Sequence, residues 1–349
     1  MTVSIILLLL GFALLVMGGE LLVRGAVRFA EHFRLSPMLI GLTVVGMGTS
    51  MPELAASVQA ALSGSPGIAL GNIVGSNLVN ILLILGAGAL IAPAIVARGV
   101  LWRDGLLGLA GVLALLAVGH LSGLDRLAGA VFISVLIAYI AYAYRQERQL
   151  VATATATATA TETVTVTAAA STASTAAGQH TAVVMQGDPG LAPQDPPRAG
   201  IGWAALLFLI GLALIVTGGI VLVDAAVAIA SRIGVSDTVI GLTIVAAGTS
   251  FPELVTTVIA SIRRQSDIAL GNVLGSNIYN VFFIGGVTGM VAPGPIPTSI
   301  LTGDLYVLLA ATLAAMIFAF TGGRLGRREG LALVLAYVAY LGWTVTAAT

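Results

Sequence analysis

The chain contains one long stretch twice, and this duplication constrains its architecture more than any other feature. Residues 41–86 read GLTVVGMGTSMPELAASVQAALSGSPGIALGNIVGSNLVNILLILG. Residues 241–286 read GLTIVAAGTSFPELVTTVIASIRRQSDIALGNVLGSNIYNVFFIGG, so 23 of 46 positions are identical, without a gap, at an offset of 200. The match extends upstream, because the Gly-Gly pair at 18–19 recurs at 218–219. The repeat unit is therefore about half of the chain.

The composition indicates a polytopic membrane protein. Hydrophobic residues make up 58% of the 349 positions and charged residues only 9%, and the mean hydropathy is +1.05. These values are far from those of a soluble domain. The net charge is zero and the basic residues are scattered, so no nucleic-acid partner is indicated. Neither a nucleophile–base pair nor a phosphate loop is present, which argues against an enzyme.

Apolar runs long enough to cross a bilayer recur ten times. They cover residues 3–23, 37–62, 68–92, 100–119, 127–144, 203–230, 238–261, 268–292, 303–320 and 330–347. No basic segment precedes the first run, so we interpret it as a retained helix rather than a cleaved signal. The sequence therefore predicts an all-α polytopic membrane protein with ten transmembrane spans.

The arginine distribution predicts the orientation of these spans, because cytoplasmic loops retain basic residues. With the N-terminus outside, 13 arginines lie at cytoplasmic ends and loops, and only Arg126 and Arg232 lie outside. We therefore expect both termini to be extracytoplasmic. Corresponding spans of the two halves are five apart, and this odd number makes the five-helix repeats inverted. Inverted repeats recur in secondary transporters, where the substrate site lies between the halves near the midplane.

The domain organisation follows from the same repeat. Residues 1–150 and 201–349 form the two five-helix halves. Residues 151–200 alternate Ala with Thr and then become rich in Pro and Gly, so we expect a flexible cytoplasmic linker. A regulatory domain is the alternative, but the three acids there are too few and too dispersed for a calcium module.

Glu53 and Glu253 lie at matched positions inside otherwise apolar spans. A carboxylate in hydrocarbon costs about 3 kcal/mol on insertion scales, so each glutamate needs a partner or an aqueous cavity. No arginine lies within either span to neutralise them. A protonated glutamate bonded to a helix carbonyl is the alternative, and it explains two matched residues less readily than one.

Small oxygen-bearing residues surround both glutamates. Thr49 and Ser50 precede Glu53 by four and three residues, which predicts a shared helix face. The second copy repeats the arrangement with Thr249, Ser250 and Glu253. Pro52 cannot donate a hydrogen bond to the carbonyl four residues back, and nearby glycines loosen the same turn. Freed backbone carbonyls there are further candidate ligands.

The following span of each repeat carries a polar stripe. Asn72, Ser76 and Asn80 recur every four residues, and the second copy has Asn272, Ser276 and Asn280. Asn77 and Asn277 point about 100° away from the stripe, and we expect them to bond neighbouring backbone. Serine and asparagine commonly bridge membrane helices, so a structural role stays open for every member of the stripe.

The candidate ligands are carboxylate, amide, hydroxyl and carbonyl oxygens, without sulfur or imidazole. Such a hard set favours Ca²⁺ or Na⁺ over zinc or copper. Two glutamates match one divalent ion in charge. A site that exchanges a divalent ion for monovalent ions or protons has the chemistry of an antiporter.

The paired motifs GTSMPE/GTSFPE and GNIVGSN/GNVLGSN resemble the alpha repeats of the sodium/calcium exchanger family, prokaryotic type, within the calcium/cation antiporter superfamily. The resemblance implies cations held between spans 2, 3, 7 and 8, with spans 1 and 6 sliding across that core. It implies as ligands the carbonyls of Gly46 and Ala246 and the side chains of Thr49, Ser50, Glu53, Ser76, Asn80, Thr249, Ser250, Glu253, Ser276 and Asn280. It further implies that Ca²⁺ and Na⁺ are transported across a prokaryotic inner membrane. No cofactor, nucleic acid or protein partner is indicated, and the lipid bilayer is the expected surroundings.

The chain departs from the family pattern at one position, since several members have Asp where this chain has Asn280. The departure leaves stoichiometry and potassium dependence open. Gly75 and Gly275 occupy positions where proton-coupled members usually have an acid, which favours sodium coupling. A Ca²⁺/H⁺ exchanger and a cation channel remain the alternatives.

Two charged features outside the repeat core have simpler interpretations. Glu20 and Arg24 are spaced as an interfacial ion pair on one helix. Asp224 lies near the outer end of span 6, where interfacial solvation is favoured over a role in an entry path.

Overall fold

A computed structural model describes residues 2–33, 35–149, 200–232 and 248–348. The predicted linker and Ala246 lie outside these ranges. The described helices are α1 (Thr2–Phe33), α2 (Pro37–Thr49), α3 (Met51–Leu62), α4 (Gly67–Ile91), α5 (Arg98–Leu121), α6 (Arg126–Gln149), α7 (Ile201–Arg232), α8 (Phe251–Ile262), α9 (Ser266–Val291), α10 (Ile300–Gly322) and α11 (Arg327–Ala348). Two short strands, β1 (Ala94–Ile95) and β2 (Arg324–Leu325), complete the regular structure of these ranges.

The helices confirm an all-α membrane protein. Within the described residues, seven helices are long and apolar enough to cross a bilayer, and α2 with α3 makes an eighth span if the bent pair counts as one. Helix α8 is a shorter apolar helix that begins just after residues outside the description. The count of ten spans stays a prediction, because the start of predicted span 7 falls in residues 233–247.

Helices α1 and α7, which correspond to predicted spans 1 and 6, pack closely and run antiparallel. A Cβ atom on Gly11 would lie 2.7 Å from the backbone nitrogen of Leu222, and one on Gly25 would lie 2.7 Å from that of Phe208. The start of α1 therefore lies beside the later part of α7, and the later part of α1 lies beside the start of α7. Such backbone contact requires glycine on at least one helix. This one pair of corresponding helices therefore runs in opposite directions.

Helices α2 and α9 make another close crossing between the halves, and they run parallel. A Cβ atom on Gly41 would lie 2.7 Å from the Ile268 carbonyl oxygen, and one on Gly46 would lie 3.2 Å from the backbone nitrogen of Ser276. This crossing brings the first motif of one copy beside the second motif of the other copy.

Two pairs of loops are joined by backbone hydrogen bonds. Strands β1 and β2 pair antiparallel with Ala94 opposite Leu325, and Leu124 forms a bridge with Gly294. These short strands were not predicted, because two-residue pairings leave no periodic signal.

Helices α4 and α9 form the centre of the bundle. In their most apolar windows 78% and 83% of the residues are buried, against 28% in α1 and α7. Both central helices contain a π-helical turn at the same repeat position, Val79–Ile84 and Tyr279–Ile284. Because they face protein rather than lipid, these helices can carry asparagine without exposing it to hydrocarbon.

Candidate cation site

The first motif of each copy contains a non-helical turn just before the helix that carries its glutamate. Ser50 has φ −81° and ψ 3°, outside helical geometry, and a 41° bend separates α2 from α3 there. Ser250 has nearly the same conformation, with φ −88° and ψ 8°. The cause lies two residues on, because Pro52 and Pro252 have no N–H to donate to the preceding turn. Each break leaves a threonine and a serine just before the helix that carries the glutamate.

The two copies exchange hydrogen bonds across these breaks. The hydroxyl of Ser50 donates to Glu253 Oε1 at 3.3 Å, and that of Ser250 donates to Glu53 Oε1 at 3.2 Å. Ser276 adds a second donor to Glu253 Oε1, at 3.4 Å. The four residues at the breaks therefore lie in one cluster where the two copies meet.

Ser50 departs from the expectation drawn from helical spacing. Its position three residues before Glu53 predicts a common face, yet its hydroxyl donates to the glutamate of the other copy. The i, i+3 relation holds only within a continuous helix, and the break lies between Ser50 and Met51.

Two asparagines hold the cluster together. Asn72 Nδ2 donates to the Glu53 carbonyl at 3.2 Å and to Ser57 Oγ at 2.9 Å, while its Oδ1 accepts from Thr249 at 3.4 Å. Asn272 repeats this pattern. It donates to the Glu253 carbonyl at 3.2 Å and to Thr257 Oγ1 at 3.0 Å, and it accepts from Thr49 at 3.1 Å. Each asparagine thus binds its own copy with its nitrogen and the other copy with its oxygen.

Sequence patterns placed Asn72 and Asn272 in the polar stripe but did not identify them as bridges between the copies. The available signal was their four-residue spacing from Ser76 and Ser276. Ser57 and Thr257 were missed, because single hydroxyls in apolar helices usually bond their own backbone.

Both carboxylates are buried without a basic partner among the described residues. Glu53 is 1% exposed and Glu253 is fully buried. The three ion pairs of the described residues involve Glu20 and Asp104, and neither site glutamate. Burying uncompensated negative charge is strongly unfavourable. A bound cation would supply the compensating positive charge, and this role of the two glutamates stays a prediction.

The remaining oxygens of the cluster are consistent with this role. Within the described residues, Oε2 of each glutamate is buried and has no hydrogen-bond partner. The described residues contain no group of three or more His, Cys, Asp or Glu side chains placed to hold a metal. A hard cation here would therefore depend on two carboxylates supplemented by neutral oxygens.

The other predicted ligands differ in their contacts. Ser76, Asn80 and Asn280 are buried on α4 and α9, and in the described part of the chain the Ser76 hydroxyl and both amide groups have no hydrogen-bond partner. The Gly46 carbonyl accepts from the Ser50 N–H at 3.1 Å and from the Thr49 hydroxyl at 3.3 Å. Ala246 lies outside the described residues.

The expectation for Asn77 and Asn277 was wrong for Asn77. Neither amide atom of Asn77, nor Oδ1 of Asn277, has a hydrogen-bond partner in the described ranges. Both side chains line a separate cavity of about 710 Å³ between α4, α5, α9 and α10. The helix-to-helix spacing keeps this cavity open, so the amides face space instead of backbone.

A second cavity reaches the site from one side, and we call it the α7 cavity. It has a volume of about 520 Å³ and is lined by Pro52, Gly219, Ile220, Asp224 and Thr249, among others. Asp224 therefore lines a passage to a site residue, in contrast to the purely interfacial role that was favoured. The predicted pair of Glu20 and Arg24 is confirmed, with Nε to Oε1 at 2.5 Å.

The fold and the buried carboxylate cluster define an integral membrane protein whose two sequence repeats meet at a pair of glutamates. A family model described as sodium/calcium exchanger protein matches residues 3–145 and 203–346. The chain therefore belongs to the sodium/calcium exchanger family, which is a family of transporters and not of enzymes.

Curated and solved relatives agree with this family over nearly the whole chain. The putative antiporter CaxA of Alkalimonas amylolytica is 36% identical over 345 residues, 97% of this chain and 98% of that protein. The sodium/calcium exchanger MaX1 of Methanosarcina acetivorans is 34% identical, with coverage of 97% and 98%. Solved structures of the sodium–calcium exchanger NCX_Mj superpose with a TM-score of 0.76 at 29% identity, covering 98% of both chains.

Proposed function

We propose that the protein exchanges Ca²⁺ for Na⁺ across a membrane by alternating access. Glu53 and Glu253 bind Ca²⁺ in one half-cycle and Na⁺ in the other. The observation that carries this proposal is the cluster at the breaks, in which each carboxylate accepts a hydroxyl from the opposite copy. Neither copy can form this site alone.

Sodium as the coupling ion is supported by residue types and by similarity. The relative MaX1 is named a sodium/calcium exchanger, and NCX_Mj a sodium–calcium exchanger. Gly75 and Gly275 stand where proton-coupled members of the superfamily usually have an acid, so these two positions supply no additional proton carrier. The site then consists of two carboxylates and neutral oxygens, which accept Na⁺ and Ca²⁺ equally well as hard cations.

Ten spans in two inverted halves form the proposed architecture. The antiparallel packing of α1 on α7 and the parallel crossing of α2 and α9 are the directions that this topology requires. Loops joined by β1 with β2, and by the bridge of Leu124 with Gly294, fall on matching sides of it. Residues 151–200 then connect the halves as a linker.

We place the protein in a prokaryotic inner membrane with both termini outside. The 13 to 2 arginine bias supports this orientation. On this assignment the α7 cavity opens to the extracytoplasmic side, because Asp224 lies in the outer half of α7. Alternating access then requires the α1–α7 pair to shift across the core.

Flux in sealed vesicles tests the proposal. Purified protein is reconstituted with Na⁺ inside, and uptake of ⁴⁵Ca²⁺ is followed after dilution into Na⁺-free buffer. We expect uptake that is driven by the outward Na⁺ gradient and is absent from protein-free vesicles. Uptake that needs a pH gradient instead would establish a Ca²⁺/H⁺ exchanger, and current without any counter-ion gradient would establish a channel.

A further inference from the structure

The two ends of the α1–α7 pair contact the rest of the bundle unequally. A Cβ atom on Gly19 would lie 2.9 Å from Val255 Cγ1 and 3.0 Å from Ile259 Cγ1, so α1 rests directly on α8. The repeat-related position on α7 is Gly219, where the nearest described heavy atom is Phe251 Cβ at 4.0 Å. The α7 cavity lies at this second position. The molecule is thus closed at the α1–α8 contact and open at the α7 cavity.

An ion pair spans the closed contact. Glu20, which follows Gly19, accepts two hydrogen bonds from Arg263, from Nε to Oε2 at 2.9 Å and from Nη2 to Oε1. Arg263 is the residue just after α8 ends. Such a two-point guanidinium–carboxylate contact fixes direction as well as distance. Arg24 also bonds Glu20 but belongs to the same helix. Of the two arginines, Arg263 is therefore the one whose ion pair joins α1 to the core.

The other copy of the repeat has lost this contact. At the offset of 200, Ile220 stands in place of Glu20 and Ser63 in place of Arg263. Asp224 takes the position of Arg24, so the charge at that level of α7 is reversed. No ion pair can form between α7 and the end of α3 with these residues. The pairing residues are therefore found at the closed end and the non-pairing residues at the open end.

We propose that Glu20 and Arg263 form a one-sided latch that holds α1 against α8 and so favours the conformation with the α7 cavity open. The proposal rests on the proposed alternating-access function, in which the α1–α7 pair shifts. A contact made in only one of two conformations stabilises that conformation by its whole free energy. The Glu20 and Arg263 side chains are 22% and 52% exposed, so water weakens the pair. A change of about threefold in the ratio of the two conformations is the effect expected of such a partly solvated pair.

Thiol labelling measures this ratio directly, because the chain contains no cysteine and an introduced one is the single thiol. Val216→Cys reports on the α7 cavity, which Val216 lines, and Ile259→Cys reports on the α1–α8 contact. Each is labelled with a maleimide in the full-length protein in vesicles. Glu20→Gln and Arg263→Gln should each slow labelling at position 216 and speed it at position 259, changing the ratio of the two rates about threefold.

Two matched control variants distinguish the effect of losing the latch from a general effect of losing one charge. Arg24→Gln removes the partner that lies on α1 itself, and Glu31→Gln removes an exposed acid of α1 for which the described residues provide no ion pair. Both should leave the labelling ratio unchanged. The exchanged pair, Glu20→Arg with Arg263→Glu, should restore the ratio of the unmodified protein.

The proposal is overturned if the labelling ratio is unchanged in both Glu20→Gln and Arg263→Gln, or if the exchanged pair fails to restore it. Size-exclusion chromatography detects misfolding of either variant. If one variant misfolds, the labelling ratio of the other still tests the proposal. Na⁺-driven Ca²⁺ flux of the unmodified protein is measured in parallel. An unchanged ratio with normal flux rejects the latch alone, whereas absent flux in the unmodified protein rejects the proposed function.

Discussion

The two oxygens of each site glutamate have different surroundings. Oε1 accepts a serine hydroxyl from the opposite copy, and Oε2 is buried without a partner in the described part of the molecule. A hydroxyl that donates its proton to Oε1 still has lone pairs to offer. The serines can therefore orient the carboxylates and also contribute oxygen ligands to a cation.

Replacing either site glutamate by glutamine should abolish transport. Glu53→Gln and Glu253→Gln keep the shape of the side chain but leave one negative charge to match a divalent ion. We expect Na⁺-driven Ca²⁺ uptake to fall at least about 100-fold, with an unchanged size-exclusion profile. Glu31→Gln is the control for loss of an acid outside the site. Normal uptake in either site variant would show that the carboxylates are not ligands.

Asn280 is the residue at which an added charge should be most informative. Its side chain is fully buried and its amide has no partner in the described residues. Asn280→Asp supplies a third carboxylate, and we expect the Na⁺ or K⁺ dependence of Ca²⁺ flux to change. Asn277→Asp, which faces the separate cavity, is the matched control. If Asn280→Asp leaves both dependences unaltered, Asn280 lies outside the cation site.

Residue identities were predictable from the sequence, but their pairing was not. Matched glutamates in apolar spans, with threonine and serine before them, indicated a cation site. That Ser50 bonds Glu253, and that Asn72 bonds Thr249, depends on contact between segments almost 200 residues apart. Local spacing contains no information about such contacts.

At the scale of helices, the proline-dependent breaks position the site. Each glutamate-bearing helix begins just after a serine whose hydroxyl donates to the glutamate of the other copy. The motif predicted a loosened turn correctly. The π-helical turns of α4 and α9 were not predicted, since an added residue in one turn changes side-chain direction without altering the apolar pattern.

Pro52→Ala should lower transport without lowering the stability of the protein. Alanine restores an N–H donor for the Gly48 carbonyl and favours a continuous helix by up to about 3 kcal/mol. A straighter helix moves Ser50 away from Glu253, so we expect Ca²⁺ flux to fall at least about tenfold while the thermal midpoint in detergent is unchanged or higher.

Pro37→Ala is the matched control for this substitution. Pro37 occupies the first turn of α2, where proline is well tolerated and removes no helical hydrogen bond. Flux should therefore stay normal in Pro37→Ala. Full flux in Pro52→Ala would mean that the bend does not depend on the missing donor or that the site does not depend on the bend.

At the scale of the whole molecule, duplication predicted more than composition did. The parity of the spans implied that α1 and α7 run in opposite directions, and the packing of their glycines has this direction. Which end of the α1–α7 pair is open and which is closed could not be predicted from the same pattern. Two packings of one sequence can differ by only a few kcal/mol, which is small beside the free energy of burying its apolar helices.

Separate expression of the two halves tests whether the site requires both. Residues 1–150 and 201–349 are produced as two polypeptides, one with an affinity tag. Because the serine–glutamate hydrogen bonds join the halves, we expect co-purification and Ca²⁺ flux from the pair and no flux from either half. Flux from a single half would contradict a site shared between the copies.

The unequal burial of the helices determines how the surrounding lipid acts on the protein. Helices α1 and α7 have 32 residues each, and at 1.5 Å per residue they are about 48 Å long, beyond a hydrocarbon thickness of about 30 Å. Such helices adjust to bilayer thickness by tilting. Helices α4 and α9 are largely shielded from acyl chains. Acyl-chain length therefore acts mainly on the tilt of the outer pair, and leaves the central asparagines in an environment that the membrane does not reach.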